Sequence, residues 1–134
     1  NLNQFGALVT NGQEELASLA NLITIRFAEA NSGHTASISA RWVEGVKALA
    51  ARHAKSICKV EGHALLTALF FEDAEHTVEF CSKLGAKYAI DISAQTYKAN
   101  CPPAALLKMP LISSEKAVDK VISAMDQVLS ELEK

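Results

Sequence analysis

Cysteine is scarce in this chain. Cys58, Cys81 and Cys101 are odd in number and widely spaced. That excludes a disulfide framework and a cysteine-based zinc site, and fits reduced thiols in a cytoplasmic protein. Excess basic charge is missing too: 13 Lys and Arg stand against 15 Asp and Glu, a net charge of -2 with no basic cluster. An electrostatic nucleic-acid binder is therefore not expected. No apolar run approaches the roughly 20 residues of a membrane span, and no signal peptide opens the chain. The nucleophile elbow, P-loop and dinucleotide fingerprint are all absent. His34, His53, His63 and His76 lack zinc-ligand spacing and read as four unrelated histidines.

What is present is a hydrophobic share of 49%, ordinary for a globular domain, in 134 residues, enough for one core. The stretch Thr10 to Phe27 organises the rest. A turn at Thr10, Asn11 and Gly12 runs into Glu14 and Glu15, and then into Leu16, Leu19, Ala20, Ile23 and Phe27 at helical spacing. The helix runs from about Gln13 to near Asn31. The Thr10 hydroxyl and the amides after it make a small donor set that suits an anion, phosphate above all. Thr10 also reads simply as a turn or capping residue.

A second helix is expected from about His34 to His53, with Ile38, Trp42, Val46 and Leu49 as its buried stripe. The period then changes. Ser56 to Glu61 reads as a short strand, with Gly62 allowing a bend or bulge. His63 to Phe71 is the strongest strand, apolar on both faces. Leu65, Thr67, Leu69 and Phe71 lie on one side, Leu66, Ala68 and Phe70 on the other. Such a strand belongs mid-sheet or under cover on both sides. Asp73 is the expected N-cap of a third helix with Val78, Cys81 and Leu84 inward and Gly85 as its stop. Cys58 and Cys81 read as small apolar fillers. Tyr88 to Ile92 and Ala105 to Met109 read as strands. Ser113 or Ser114 caps a last helix whose stripe is Val118, Val121, Ile122, Met125, Val128, Leu129 and Leu132. The expected fold is an α/β (α+β type) sandwich, a small antiparallel or mixed sheet of about four strands packed by helices.

The wording of these segments resembles a known family. Thr10-Asn11-Gly12-Gln13-Glu14, followed by Leu16 and Thr24-Ile25, is similar to a segment of class III, pyridoxal-phosphate-dependent aminotransferases. The likeness is strongest to the branch of glutamate-1-semialdehyde aminomutases. It continues through Phe27-Ala28-Glu29, Trp42-Val43-Glu44-Gly45 and Gly62, and ends with Met109-Pro110-Leu111-Ile112-Ser113, so it covers nearly the whole chain. The resemblance implies a C-terminal domain of such an enzyme. Residues 1–31 would be a connecting segment and long helix after a large domain, and residues 32–134 the small domain. It further implies pyridoxal phosphate as cofactor in the parent protein, a small-molecule amino substrate, and a homodimer. Thr10 would contact the cofactor phosphate, assisted by the amides of Asn11 or Gly12.

Two departures have consequences. None of the ten lysines lies in the context of the family's Schiff-base lysine, so the chain alone is expected to be inactive. Where many members carry a substrate-binding arginine before the terminal proline, this chain has Lys108, a point charge without arginine's fork. A solvated strand-end lysine is the expectation there. The rival reading is a free-standing, non-catalytic α/β module with a regulatory or ligand-binding role. A thiol enzyme using Cys101 is a remote third.

Overall fold

The computed structural model describes residues 14–97 and 100–134. Four helices and four strands follow in the order α1 (Glu15–Ala30), α2 (Ser32–Arg52), β1 (Ile57–His63), β2 (Leu66–Phe71), α3 (Ala74–Tyr88), β3 (Ser93–Gln95), β4 (Ala104–Lys108) and α4 (Glu115–Leu132). The chain divides into two compact units, one ending at Gly33 and the other running from His34 to Lys134.

In the first unit, α1 forms as its apolar spacing demands. Glu14 occupies the N-cap without a side-chain hydrogen bond, and Glu15 faces the positive end of the dipole. The helix buries none of its residues, and its largest apolar side chains, from Leu16 to Phe27, are exposed.

The second unit is a sheet with helices against one face. Its strand order is β1-β2-β4-β3, and every pairing is antiparallel. Trp42 on α2 donates its indole N–H to Thr67 Oγ1 at 3.1 Å, inside the core. Phe80 on α3 lies against Phe71 with ring centroids 5.3 Å apart. Ile38, Trp42, Val46 and Leu49 are all buried, and α4 adds Val118, Ala124, Met125, Val128 and Leu129. Asp73 accepts from the His76 amide at the N-cap of α3, and Ser114 from the Ala117 amide at that of α4.

Gly62 sits inside β1 at φ +125°, and a Cβ there would lie 2.2 Å from the Leu66 carbonyl oxygen. Only glycine tolerates both conditions. The bulge is elsewhere, at the register shift between Ile57 and Lys59, which turns Cys58 outward. Cys58 is thus exposed rather than a core filler, while Cys81 is partly buried against the core.

Three local expectations need correction. Helix α3 does not stop at Gly85 but runs to Tyr88, where Ala89 takes the left-handed C-cap. Its buried face is Thr77, Phe80 and Leu84, so Val78 is exposed. The third strand is Ser93–Gln95, because residues expected to start it finish the helix instead.

Candidate functional site

Thr10, Asn11 and Gly12, the residues singled out for phosphate binding, lie outside the described residues. The N-cap of α1 is Glu14. Among the places in the described part where polar chemistry gathers, besides the exposed ion pairs of Arg41 with Asp119 and Glu115, three can be built from their elements.

The first is the end of β4. Lys108 pairs across the sheet with Leu66 and is exposed. It borders a hollow of about 150 Å³ shared with Asp91, Ile92, Ser93 and Leu106. It also closes one end of a groove of about 360 Å³ along the outer sheet face. Its ammonium makes no ion pair among the described residues, which accords with a solvated strand-end lysine.

The second is the start of α3. Asp73 accepts from the His76 amide at 2.8 Å and lies 2.6 Å from His76 Nδ1. The amide bond and the imidazole together hold Asp73 below the usual carboxylate range, and the carboxylate raises His76 in turn. Lys55, Ser56 and Glu72 share with this pair a hollow of only about 60 Å³. The dyad is a helix cap reinforced by charge.

The third is a buried clamp that the sequence spacing does not reveal. His53, 5% exposed, closes α2 between two carboxylates of the chain's last segment. Nδ1 lies 3.0 Å from Glu133 Oε2, and Nε2 lies 3.0 Å from Asp126 Oδ1. Arg52 donates to the same Asp126 oxygen, and Ser56 Oγ donates to Glu133 Oε1 at 2.8 Å. Burial pushes Asp126 and Glu133 upward. The hydrogen bonds from His53, with Arg52 on one side and Ser56 on the other, outweigh it and leave both low. The arrangement ties α4 to α2 and leaves no ring nitrogen free for proton transfer.

Burial, helped by the nearby Asp91, pushes the Cys81 thiol up to about 11, so it is not a nucleophile at neutral pH. No group of three or more His, Cys, Asp or Glu among the described residues could hold a metal ion. No described helix is long and apolar enough to cross a membrane.

The architecture can be placed among known structures. It matches an aminotransferase of Bacillus anthracis with a TM-score of 0.69 at 17% identity, over 82% of this chain and 27% of that one. It matches the lysine aminotransferase of M. tuberculosis in its internal aldimine form with a TM-score of 0.61 at 19% identity, over 80% and 24% of the two chains. A transaminase from the marine bacterium Virgibacillus gives 0.65 at 17% identity, over 82% and 26%. The fold is one found within aminotransferases. The chain spans only about a quarter of the length of these proteins, 24 to 27%. No family model and no curated protein matches by sequence.

A coenzyme held through an imine needs a lysine in a desolvated pocket, where the amine gives up its proton. Every described lysine is exposed except Lys83, which is half-buried and paired with Glu79 at 2.9 Å. The described residues therefore do not fit covalent attachment of pyridoxal phosphate.

Proposed function

We propose that this chain is the small α+β domain of a class III, pyridoxal-phosphate-dependent aminotransferase or aminomutase of the glutamate-1-semialdehyde aminomutase-like branch. Residues 1–31 connect it to a large domain, and residues 32–134 form the small domain. The observation that carries the reading is the match of four-fifths of the chain, 80 to 82%, to quarter-length portions of several aminotransferases. Support also comes from the order of β4, Pro110, the Ser114 cap and α4, the ending that the sequence resemblance requires.

In this role the chain contributes closure over an active site, dimer contacts and a phosphate contact, and no proton transfer of its own. Thr10 donates its hydroxyl to the phosphate of a cofactor anchored elsewhere, with the amides of Asn11 or Gly12 beside it. The coenzyme, when bound, supplies the electron sink for chemistry at the amino carbon of a small amino substrate. The parent is a cytoplasmic homodimer.

The test is the reading frame upstream of Asn1, together with an absorbance scan of its full product against the 134-residue chain. A large domain carrying a cofactor lysine, and a coenzyme spectrum in the full product alone, are the expected results. A frame without such a domain refutes the assignment and favours the free-standing module. A 134-residue chain that takes up the coenzyme covalently and turns over an amine refutes the assignment as well.

A further inference from the structure

We propose that the free edge of β1 pairs antiparallel with the same edge of a second copy of this chain, about a two-fold axis at Val60. The inference stands apart from the family reading above. β1 ends the order β1-β2-β4-β3, so no strand lies on its outer side among the described residues. Such an edge presents amides and carbonyls that a further strand can take up.

The hydrogen bonds of β2 show which groups of β1 face outward. In an antiparallel ladder, successive residues turn their N–H and C=O first to one neighbour and then to the other. Leu65 accepts from the Met109 amide and the Phe71 amide donates to Pro103, both at 3.0 Å, so the odd-numbered positions along β2 bond toward β4. Leu66, Ala68 and Phe70 therefore turn to β1, where they stand opposite His63, Glu61 and Lys59. Val60, between Glu61 and Lys59, directs its N–H and C=O to the open side.

The side chains fix the register. Val60 stands opposite Leu69, on the helix-covered side of the sheet, and is partly buried against the core. Lys59 and Glu61 lie on the other side, both more than half exposed and paired with each other. With the axis at Val60, the two Val60 residues exchange both backbone hydrogen bonds. Lys59 of each copy then stands opposite Glu61 of the other, which gives two ion pairs across the edge. Moving the axis by one residue sets Lys59 against Lys59 or Glu61 against Glu61, at positions whose peptide groups are already bonded to β2. Moving it by two places it on the positive φ of Gly62 or on the register shift beside Cys58. Backbone direction and charge thus select the same axis. The regular stretch between that shift and Gly62 is short, so the dimer belongs among the weak, transient interfaces.

Amide exchange of the 134-residue chain, read residue by residue by NMR from about 50 μM to about 1 mM, tests the proposal beside sedimentation equilibrium on the same samples. The Val60 amide should exchange about fivefold more slowly at the upper concentration, while that of Glu61, bonded to β2, should be unchanged. Lys59→Glu sets like charges opposite each other in both pairs and should raise the dissociation constant of the dimer about tenfold. Lys59→Glu combined with Glu61→Lys should restore it. A chain that is monomeric at about 1 mM overturns the proposal. A dimer that leaves Val60 exchanging at the monomer rate, or that Lys59→Glu does not weaken, overturns it too, because such a dimer forms through another surface, such as the exposed apolar side chains of α1.

Discussion

Replacing His53 by alanine removes a buried side chain that bridges two carboxylates of the terminal segment, Asp126 and Glu133. Each ring nitrogen lies 3.0 Å from one of these carboxylates, Nδ1 from Glu133 and Nε2 from Asp126. A hydrogen bond to a charged group contributes about 1.5–3 kcal/mol. The Asp126 bond must be discounted to about 1 kcal/mol or less, because that side chain is 38% exposed and keeps Arg52. Glu133, 23% exposed, keeps only Ser56, and its bond retains most of the full value. Loss of the buried ring adds about 1 kcal/mol for the space left behind. The sum is about 3 kcal/mol, or a fall of about 12 °C in Tm at roughly 4 °C per kcal/mol for a domain of this size.

The pH dependence supplies an independent check. Asp126 and Glu133 titrate below their ordinary values in the folded chain, so the unfolded chain binds more protons in acid. Their contribution is complete above the unfolded carboxylate values, about 4, and is lost as pH falls through the folded ones. Without His53 part of that depression disappears. The gap between wild type and His53→Ala should therefore be widest near neutrality and close as pH falls below about 4. Urea unfolding followed by circular dichroism from pH 7 to pH 3 measures it. A gap under about 0.5 kcal/mol at pH 7, or one that stays constant through the acid range, would show that His53 stabilises the fold through neither carboxylate.

Gly62→Ala should destabilise the chain by more than about 2 kcal/mol, from strain at positive φ and from collision with the Leu66 carbonyl; an unfolding midpoint within error of wild type would contradict the placement of that glycine in β1. Alkylation of the native chain should modify exposed Cys58 and Cys101 rapidly, and Cys81 only on unfolding, because its thiol is held at about 11. Peptide mass mapping reads this directly, and early modification of Cys81 would count against its burial. In the full gene product, Thr10→Ala should weaken coenzyme binding by about 1–3 kcal/mol, as for loss of a hydrogen bond to a charged group. Unchanged affinity in an equilibrium titration would remove Thr10 from the phosphate site.

Where one helical stripe outweighed every alternative, the sequence was legible to the residue. Ile38, Trp42, Val46 and Leu49 occur at steps of four, four and three, and all four are buried at 1% exposure or less. Of the stripe expected in the long final helix, Val118, Met125, Val128 and Leu129 are buried, Val121, Ile122 and Leu132 are partly buried, and Ala124, which that stripe does not include, is buried as well. In α3 two stripes compete, Val78-Cys81-Leu84 and Thr77-Phe80-Leu84. Periodicity alone does not choose between them. The large ring of Phe80 does, because it can lie on Phe71 of the neighbouring strand. Gly85 reads as a stop only if local propensity decides. Here the last turn is anchored to α4 by Tyr88, which donates to Gln127 at 2.6 Å, and by the ion pair of Lys87 with Glu131. Those contacts offset the roughly 1 kcal/mol cost of an interior glycine and displace the third strand downstream. The His53 clamp was out of reach for a different reason. Its partners lie 73 and 80 residues away in sequence, and their meeting is a product of the fold.

The strand Leu66–Phe71 carries that reasoning one step further. Period-two alternation normally marks one wet face, and this segment lacks it. Its central position in the sheet accounts for its paired edges, and the helices account for Thr67, Leu69 and Phe71. On the other face Phe70 is half-buried with the Lys59 ammonium 5.9 Å from its ring centroid, Leu106 is half-buried, and only Leu66 is largely exposed. Leaving Leu66 toward water forgoes about 25 cal/mol for each Å² of apolar surface that a covering group would remove from it. An alternating polar residue at position 66 would have cost the isolated unit nothing. Substituting Leu66, which is 59% exposed, by a polar residue is therefore a change that the folded unit should tolerate well.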